Sequence, residues 1–133
     1  MALTGSLLKK GIILRQSLEQ KYSYPYDLQK AELKKLMVQA KNTKFGDFYK
    51  FDSILWSFKS DDPKAFYRSF KNNIPIFDYN SIFNSWWHLS RKGKKDICWP
   101  GLVKYFAMSS GTSEDTSKYI PVTKEMIRAI RRT

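Results

Sequence analysis

One stretch of the sequence, residues 109–118, concentrates side chains that can bind a phosphate group. It contains six hydroxyl residues, one glycine and a terminal lysine, namely Ser109, Ser110, Gly111, Thr112, Ser113, Thr116, Ser117 and Lys118. Glycine permits a close backbone approach to a ligand, hydroxyl and amide hydrogens can donate to phosphate oxygens, and the lysine supplies a positive charge. The segment predicts a phosphate-binding loop, although its spacing differs from that of the Walker loop.

A second interpretation of this segment stays open on composition alone. A hydroxyl-rich turn joining two strands would have the same residue types. Glu114 and Asp115 also place negative charge beside the supposed anion site, unless they point outward or help to hold a magnesium ion. The neighbouring elements therefore have to support one interpretation or the other.

The hydrophobic pattern places the loop between two short strands that follow a mostly helical region. Apolar spacing predicts helices over about residues 6–20, 27–41, 63–71, 79–91 and 124–132, and strands over about residues 102–108 and 118–122. The residues expected to cap or start these helices are Asp27, Asp62 with Pro63, Asp78 and Thr123. Residues 42–60 are rich in aromatic side chains without a clean period, so no regular element is predicted there. The expected fold class is mixed α/β.

Several of the predicted helices also have predicted inner faces. Three of these faces consist of Phe66, Tyr67 and Phe70 in one helix, of Tyr79, Ile82, Phe83 and Trp86 in the next, and of Met126, Ile127 and Ile130 in the last. The last helix has no stop signal before Thr133, and two strands alone are marginal in water. We therefore expect residues 1–133 to be a truncated amino-terminal part of a larger α/β domain.

Composition bounds the function further. The chain has 133 residues, 42% of them hydrophobic, and a net charge of +12 at pH 7, which excludes global disorder and favours an anionic partner. No stretch reaches the roughly 18 apolar residues that span a bilayer, so we expect no membrane partner. The single Cys98 excludes an internal disulfide and predicts an inert buried thiol in a reducing, cytoplasmic setting. The lone His88 has no partner ligand in sequence, so no metal site is predicted.

The basic run Arg91–Lys95 admits two interpretations. Such runs are more often solvated turns than nucleic-acid clamps, and nucleic acid is therefore the less favoured partner. The alternative function is a small basic module, without catalytic activity, that binds nucleic acid or another protein. The sequence leaves the oligomeric state open.

Several runs of this sequence resemble one enzyme family. The resemblance extends over nearly the whole chain and rests on Asn42–Gly46, Ile74–Tyr79, Trp86-Trp87, Cys98–Gly101, Tyr105–Ser113 and Ser117–Thr123. The chain resembles the auxin-responsive-promoter family of acyl-acid amido synthetases, within the adenylate-forming superfamily, and is most similar to its bacterial branch.

The resemblance implies an ATP-dependent ligase that joins a carboxylic acid to an amino acid in two steps, with Mg²⁺ present. ATP would be held by the loop, through Ser109, Ser110, Gly111, Thr112, Ser113, Thr116 and Lys118. No catalytic residue is identified. Family members are several times longer than this chain, so we expect the chain alone to be inactive.

Overall fold

The computed structural model describes residues 9–10, 25–109 and 117–131. The chain divides into two compact units, residues 1–35 and 36–133, with the boundary inside a helix. The helix predicted over residues 6–20 lies outside the described residues, except for Lys9 and Lys10, which are helical and exposed.

The described elements are mostly helices, followed by one antiparallel strand pair. In chain order they are α1 (Pro25–Ala40), α2 (Lys44–Phe48), α3 (Phe51–Ser57), α4 (Ala65–Asn73), α5 (Tyr79–Ile82), a π-helical segment (Phe83–Trp87), α6 (His88–Arg91), β1 (Tyr105–Ser109), β2 (Lys118–Val122) and α7 (Lys124–Ile130). The mixed α/β class predicted from the sequence is confirmed. None of the helices in the described part of the chain is long and apolar enough to cross a membrane.

Helix α1 starts earlier than its predicted cap. Pro25 and Tyr26 are already helical, so Asp27 lies in the first turn rather than at the cap, where its carboxylate still favours the positive end of the helix dipole. At the other end, Met37 and Ala40 are buried and form one side of the core.

The prediction that residues 42–60 form no regular element was wrong. This segment forms α2 and α3, whose lengths are five and seven residues. Such short helices are unstable alone, because nucleation costs more than so few hydrogen bonds return. Contacts from elsewhere in the chain must stabilise them, and a local sequence pattern does not show those contacts.

The first turn of α2 shows where that support comes from. The N–H of Lys44 donates to the Asp96 carbonyl at 2.8 Å, and the N–H of Phe45 donates to the Ile97 carbonyl at 2.9 Å. The next N–H, from Gly46, donates to the Thr43 hydroxyl oxygen at 3.1 Å. Backbone from residues 96 and 97 thus satisfies donors that a helix start leaves unpaired.

Those two carbonyls are held by a closed turn over residues 96–101. Asp96 and Gly101 both have positive φ, at 55° and 83°. The Asp96 carboxylate accepts from the Gly101 N–H at 2.6 Å, while the Asp96 N–H donates to the Gly101 carbonyl at 3.0 Å. Ile97, inside the turn, is a fully buried core residue. The turn therefore joins α2 to the segment that enters β1.

The start of α4 differs from its predicted cap. The helix begins at Ala65, so Pro63 is not its first residue, and Asp62 instead closes a turn by accepting from the Lys64 N–H at 2.8 Å. Phe66 is buried as predicted, whereas Tyr67 is 50% exposed and does not belong to the inner face.

Residues 79–91 form one helical stretch that the π-helical segment interrupts. Asp78 caps it as predicted, accepting from the Ser81 N–H at 2.7 Å. Both adjacent tryptophans lie in the π-helical segment, and their rings have different neighbours. The Trp86 ring lies 5.2 Å from the Phe45 ring, while the Trp87 ring lies 6.2 Å from the Tyr79 ring. Adjacent residues thus pack against different parts of the domain.

Helix α7 confirms its predicted cap but not its predicted inner face. The Thr123 hydroxyl accepts from the Met126 N–H at 3.1 Å. Ile127 is half-buried, but Met126 and Ile130 are exposed. The helix is described to Ile130 rather than to residue 132.

Candidate phosphate-binding hairpin

The structure describes both ends of the predicted loop. Ser109 ends β1 and is exposed, and Lys118 begins β2 and is half-buried. The other predicted binding residues lie outside the described residues, and they are Ser110, Gly111, Thr112, Ser113 and Thr116. Strand β1 begins at Tyr105, three residues after its predicted start, because residues 102–104 do not pair.

The two ends of the loop face each other across the strand pair. In the antiparallel register Ser109 is opposite Lys118, and Phe106 is opposite Pro121. Pro121 has no N–H, so its pair cannot exchange both backbone hydrogen bonds. Because bonded and non-bonded pairs alternate along an antiparallel ladder, the pair of Ser109 and Lys118 is a hydrogen-bonded one. The base of the loop is therefore closed by the backbone.

The outer edge of β2 is covered by a side chain from the start of α5. The N–H of Tyr119 donates to the Tyr79 hydroxyl oxygen at 2.8 Å. This bond requires the Tyr119 N–H to point away from β1, which agrees with the ladder alternation deduced from Pro121. Tyr79 thus binds the backbone directly after Lys118.

The same tyrosine ring also lies under the lysine charge. The Lys118 ammonium is 5.6 Å from the centroid of the Tyr79 ring, within the range in which a cation is attracted to an aromatic face. Tyr79 therefore contacts two consecutive residues of β2, one through its hydroxyl and one through its ring.

A second cation lies at the other end of the same helical stretch. The guanidinium carbon of Arg91 is 3.7 Å from the centroid of the Tyr119 ring. The adjacent residues of the basic run, Lys92, Lys94 and Lys95, are exposed. Residues 79–91 therefore contact β2 at both ends, and each contact involves a cation, Lys118 at one end and Arg91 at the other.

Helix α7 is connected to the turn that precedes β1. The Trp99 indole N–H donates to Glu125 Oε2 at 3.1 Å. The pKa of Glu125 is lowered, first by a hydrogen bond from its own backbone N–H and then by the Trp99 indole. This hydrogen bond thus joins the turn that precedes β1 to the helix that follows β2.

Cys98 and His88 have local structural environments. Cys98 is half-buried rather than buried as predicted, and partial burial raises the pKa of its thiol to about 12, so the thiol is protonated at neutral pH. His88 Nδ1 lies 3.1 Å from the Phe83 carbonyl oxygen, which can only accept, so Nδ1 carries the proton. In the described parts of the chain, no group of three or more His, Cys, Asp or Glu side chains could hold a metal ion.

Sequence reasoning missed the residues that hold the hairpin. Tyr79 was expected as a core aromatic residue, and Arg91 as part of a basic turn for which a nucleic-acid clamp was the less favoured interpretation. Tyr79 lies 40 positions before the residue whose N–H it accepts from. The one available signal was Pro121, which fixes the phase of the ladder and hence which N–H groups point outward.

Comparison with known proteins agrees with the resemblance found in the sequence. The model of the GH3 family N-terminal domain matches residues 14–133, which is most of the chain. No curated protein and no solved structure matches it. The match includes the closed turn, residues 79–91 and the whole hairpin. The chain therefore belongs to the GH3 family, the family of auxin-responsive acyl-acid amido synthetases, and corresponds to its N-terminal domain.

Proposed function

We propose that this chain carries the ATP phosphate-binding loop of an acyl-acid amido synthetase of the adenylate-forming superfamily, from its bacterial branch. The residues that would hold the phosphates are Ser109, Ser110, Gly111, Thr112, Ser113, Thr116 and Lys118. The observation that supports this proposal is the closed base of the hairpin, where Ser109 and Lys118 face each other across the strand pair and the Lys118 ammonium lies over the Tyr79 ring.

The donor set fits a polyphosphate chemically. Hydroxyl and amide hydrogens donate to non-bridging oxygens, and the lysine ammonium offsets their charge. Arg91 adds a positive charge over the ring of Tyr119, the residue after Lys118 in β2. Preorganised donors of this kind stabilise charge at a reacting phosphorus without reorganising during the reaction. Mg²⁺, which the resemblance to the family implies, would enter the site bound to ATP.

The proposed reaction has two steps. A carboxylate oxygen attacks the α-phosphorus of ATP, the bond to the bridging oxygen of the β-phosphate breaks, and pyrophosphate leaves. The nitrogen of an amino acid then attacks the acyl carbon, AMP leaves with the electron pair of the broken bond, and the nitrogen loses a proton. The loop residues of this chain would serve the first step, because they hold the phosphates in line for the attack.

We propose further that this chain alone does not catalyse the reaction. The matching family model is that of an N-terminal domain, and the sequence predicts no catalytic residue. Incubation with Mg²⁺, ATP and a panel of carboxylic acids should release no pyrophosphate above a blank without protein. Turnover with any acid in the panel would contradict this part of the proposal.

The phosphate-binding proposal is tested by calorimetric titration of the chain with tripolyphosphate. Because the chain carries a charge of +12, a specific site must be separated from general attraction. Lys118→Gln and Lys95→Gln remove the same charge, one beside the loop and one from the exposed basic run. We expect Lys118→Gln to weaken tripolyphosphate binding about tenfold, the usual magnitude for a hydrogen bond to a charged group, and Lys95→Gln to weaken it by less than about twofold.

Two comparison ligands sharpen this test. Adenosine lacks phosphate and should not bind detectably through the loop. A single-stranded oligonucleotide tests the alternative of a basic nucleic-acid-binding module, for which binding should be strong at low salt and fall steeply as salt rises. Equal losses for the two lysine variants, or preference for the oligonucleotide over tripolyphosphate, would reject the proposed loop function.

A further inference from the structure

The strongest unassigned feature outside the loop is the double contact of Tyr79 with β2. Its hydroxyl accepts from the Tyr119 N–H at 2.8 Å, and its ring faces the Lys118 ammonium at 5.6 Å. One side chain thus restrains both the backbone and the charged group at the point where the chain leaves the loop.

Tyr79 is itself held on several sides. It is the first residue of α5, directly after the Asp78 cap, so its backbone is fixed by the helix start. Its ring stacks on Phe83 at 5.5 Å and meets the edge of Trp87 at 6.2 Å. A side chain packed in this way has few alternative rotamers and can act as a rigid support.

The neighbouring backbone of β2 offers no second donor that could anchor this edge in place of the Tyr119 N–H. The Tyr119 N–H points away from β1, and the next outward position on the same edge is Pro121, which has no N–H. Among the described residues, Tyr79 is the group that accepts from this edge of β2. Loss of its hydroxyl would leave the peptide after Lys118 without this restraint.

We propose that Tyr79 is a positioning residue that acts through Lys118: it fixes the start of β2 so that the lysine ammonium stands beside the phosphates of the bound ligand. This inference rests on the proposed phosphate-binding function. It adds a residue from a separate helix, 30 positions before the loop in sequence, to the machinery of the loop.

The chain offers a matched control for this proposal. The Lys71 ammonium lies 5.5 Å from the Tyr67 ring, almost the same distance as between Lys118 and Tyr79. Tyr67 is 50% exposed and lies on α4, away from the two strands in sequence. A Tyr→Phe change at this residue removes a similar hydroxyl beside a similar lysine.

The experiment is a double-mutant cycle read by tripolyphosphate affinity. Tyr79→Phe keeps the ring contacts with Phe83 and Trp87, so the variant should fold, which circular dichroism verifies. We expect it to weaken binding about fivefold, the effect of one hydrogen bond of ordinary strength, and Tyr67→Phe to leave binding unchanged. In a Lys118→Gln background, Tyr79→Phe should have little further effect, because residues that act through one another are non-additive.

The outcomes separate the inference from the proposed function. If the unmodified chain does not bind tripolyphosphate, the phosphate-binding function fails, and the inference that rests on it fails with it. If it binds and Tyr79→Phe binds equally well, only the inference fails. If Tyr79→Phe weakens binding by the same factor with and without Lys118, the tyrosine does not act through the lysine, and the inference is likewise overturned.

Discussion

The buried cap of α2 allows a sharp prediction about stability. Thr43 is 1% exposed, and its hydroxyl both donates to the Ala40 carbonyl at 2.7 Å and accepts from the Gly46 N–H at 3.1 Å. Thr43→Val has nearly the same shape and leaves no cavity, but it removes both hydrogen bonds. The Gly46 N–H then remains buried without an acceptor, since Gly46 is also buried.

The magnitude follows from burial. Loss of a helix cap costs about 0.5–2 kcal/mol, and a buried polar group without a partner costs about 1–3 kcal/mol. The two terms overlap because they concern the same bond, so we expect Thr43→Val to lower the free energy of unfolding by about 2 kcal/mol. Thr123 caps α7 through the same bond, also at 3.1 Å, but on an exposed N–H. Thr123→Val should therefore cost only about 0.5–1 kcal/mol.

Urea unfolding of the two variants and the unmodified chain measures the difference. With a slope of about 2 kcal/mol per molar urea, Thr43→Val should lower the midpoint by about 1 M. Thr43→Ser keeps the hydroxyl and loses one buried methyl group, so it should cost about 1 kcal/mol. If the two Thr→Val variants are equally destabilised, burial does not set the strength of the cap and the reasoning is refuted.

Two further predictions concern Gly46 and Cys98. A Cβ added at Gly46 would lie 2.3 Å from the Ala40 carbonyl oxygen. Gly46→Ala should therefore lower the free energy of unfolding by about 2 kcal/mol, despite the better helix propensity of alanine. Gly93 has φ +76° and open space around it, so Gly93→Ala should cost only about 1 kcal/mol in the same urea unfolding experiment. Burial raises the pKa of the Cys98 thiol from 9.0 to about 12, so iodoacetamide at pH 8 should label the folded chain at least about tenfold more slowly than the urea-unfolded chain, because the thiolate is the reactive form. Because the folded chain holds the thiol proton more tightly than the unfolded chain, the contribution of this group to the free energy of unfolding is fully present below pH 9 and is lost as the pH rises towards 12. Equal labelling rates for the folded and the unfolded chain would contradict the raised pKa on which both predictions rest.

The helix starts that the sequence predicted correctly depend on neighbouring residues. Asp78 and Thr123 each accept from the N–H three positions ahead, a geometry that the residue types alone indicate. Asp62 shows the limit of this rule. Its carboxylate bonds the Lys64 N–H two positions ahead and so closes a turn before the helix rather than capping it.

The helices that the sequence did not predict depend on distant residues. Helix α2 begins where the carbonyls of Asp96 and Ile97 meet the N–H groups of Lys44 and Phe45, about 50 positions earlier in the chain. The aromatic side chains of this segment have no helical period because they pack in several directions. Phe45, for example, has ring contacts with Phe51 on α3 and with Trp86 in the π-helical segment. Periodicity cannot reveal a helix whose stability comes from such contacts.

The candidate site divides in the same way between local and distant information. From the sequence, Pro121 shows that the ladder pair at this position cannot exchange both bonds, which fixes Ser109 and Lys118 as a bonded pair at the base of the loop. The proline also leaves the outer edge of β2 with Tyr119 as a remaining outward donor. A single acceptor placed opposite the Tyr119 N–H is therefore enough to satisfy this part of the edge, and the Tyr79 hydroxyl oxygen is that acceptor. The sequence thus creates the need for a partner at Tyr119, while only the folded chain shows that the partner also carries the ring beneath the lysine charge.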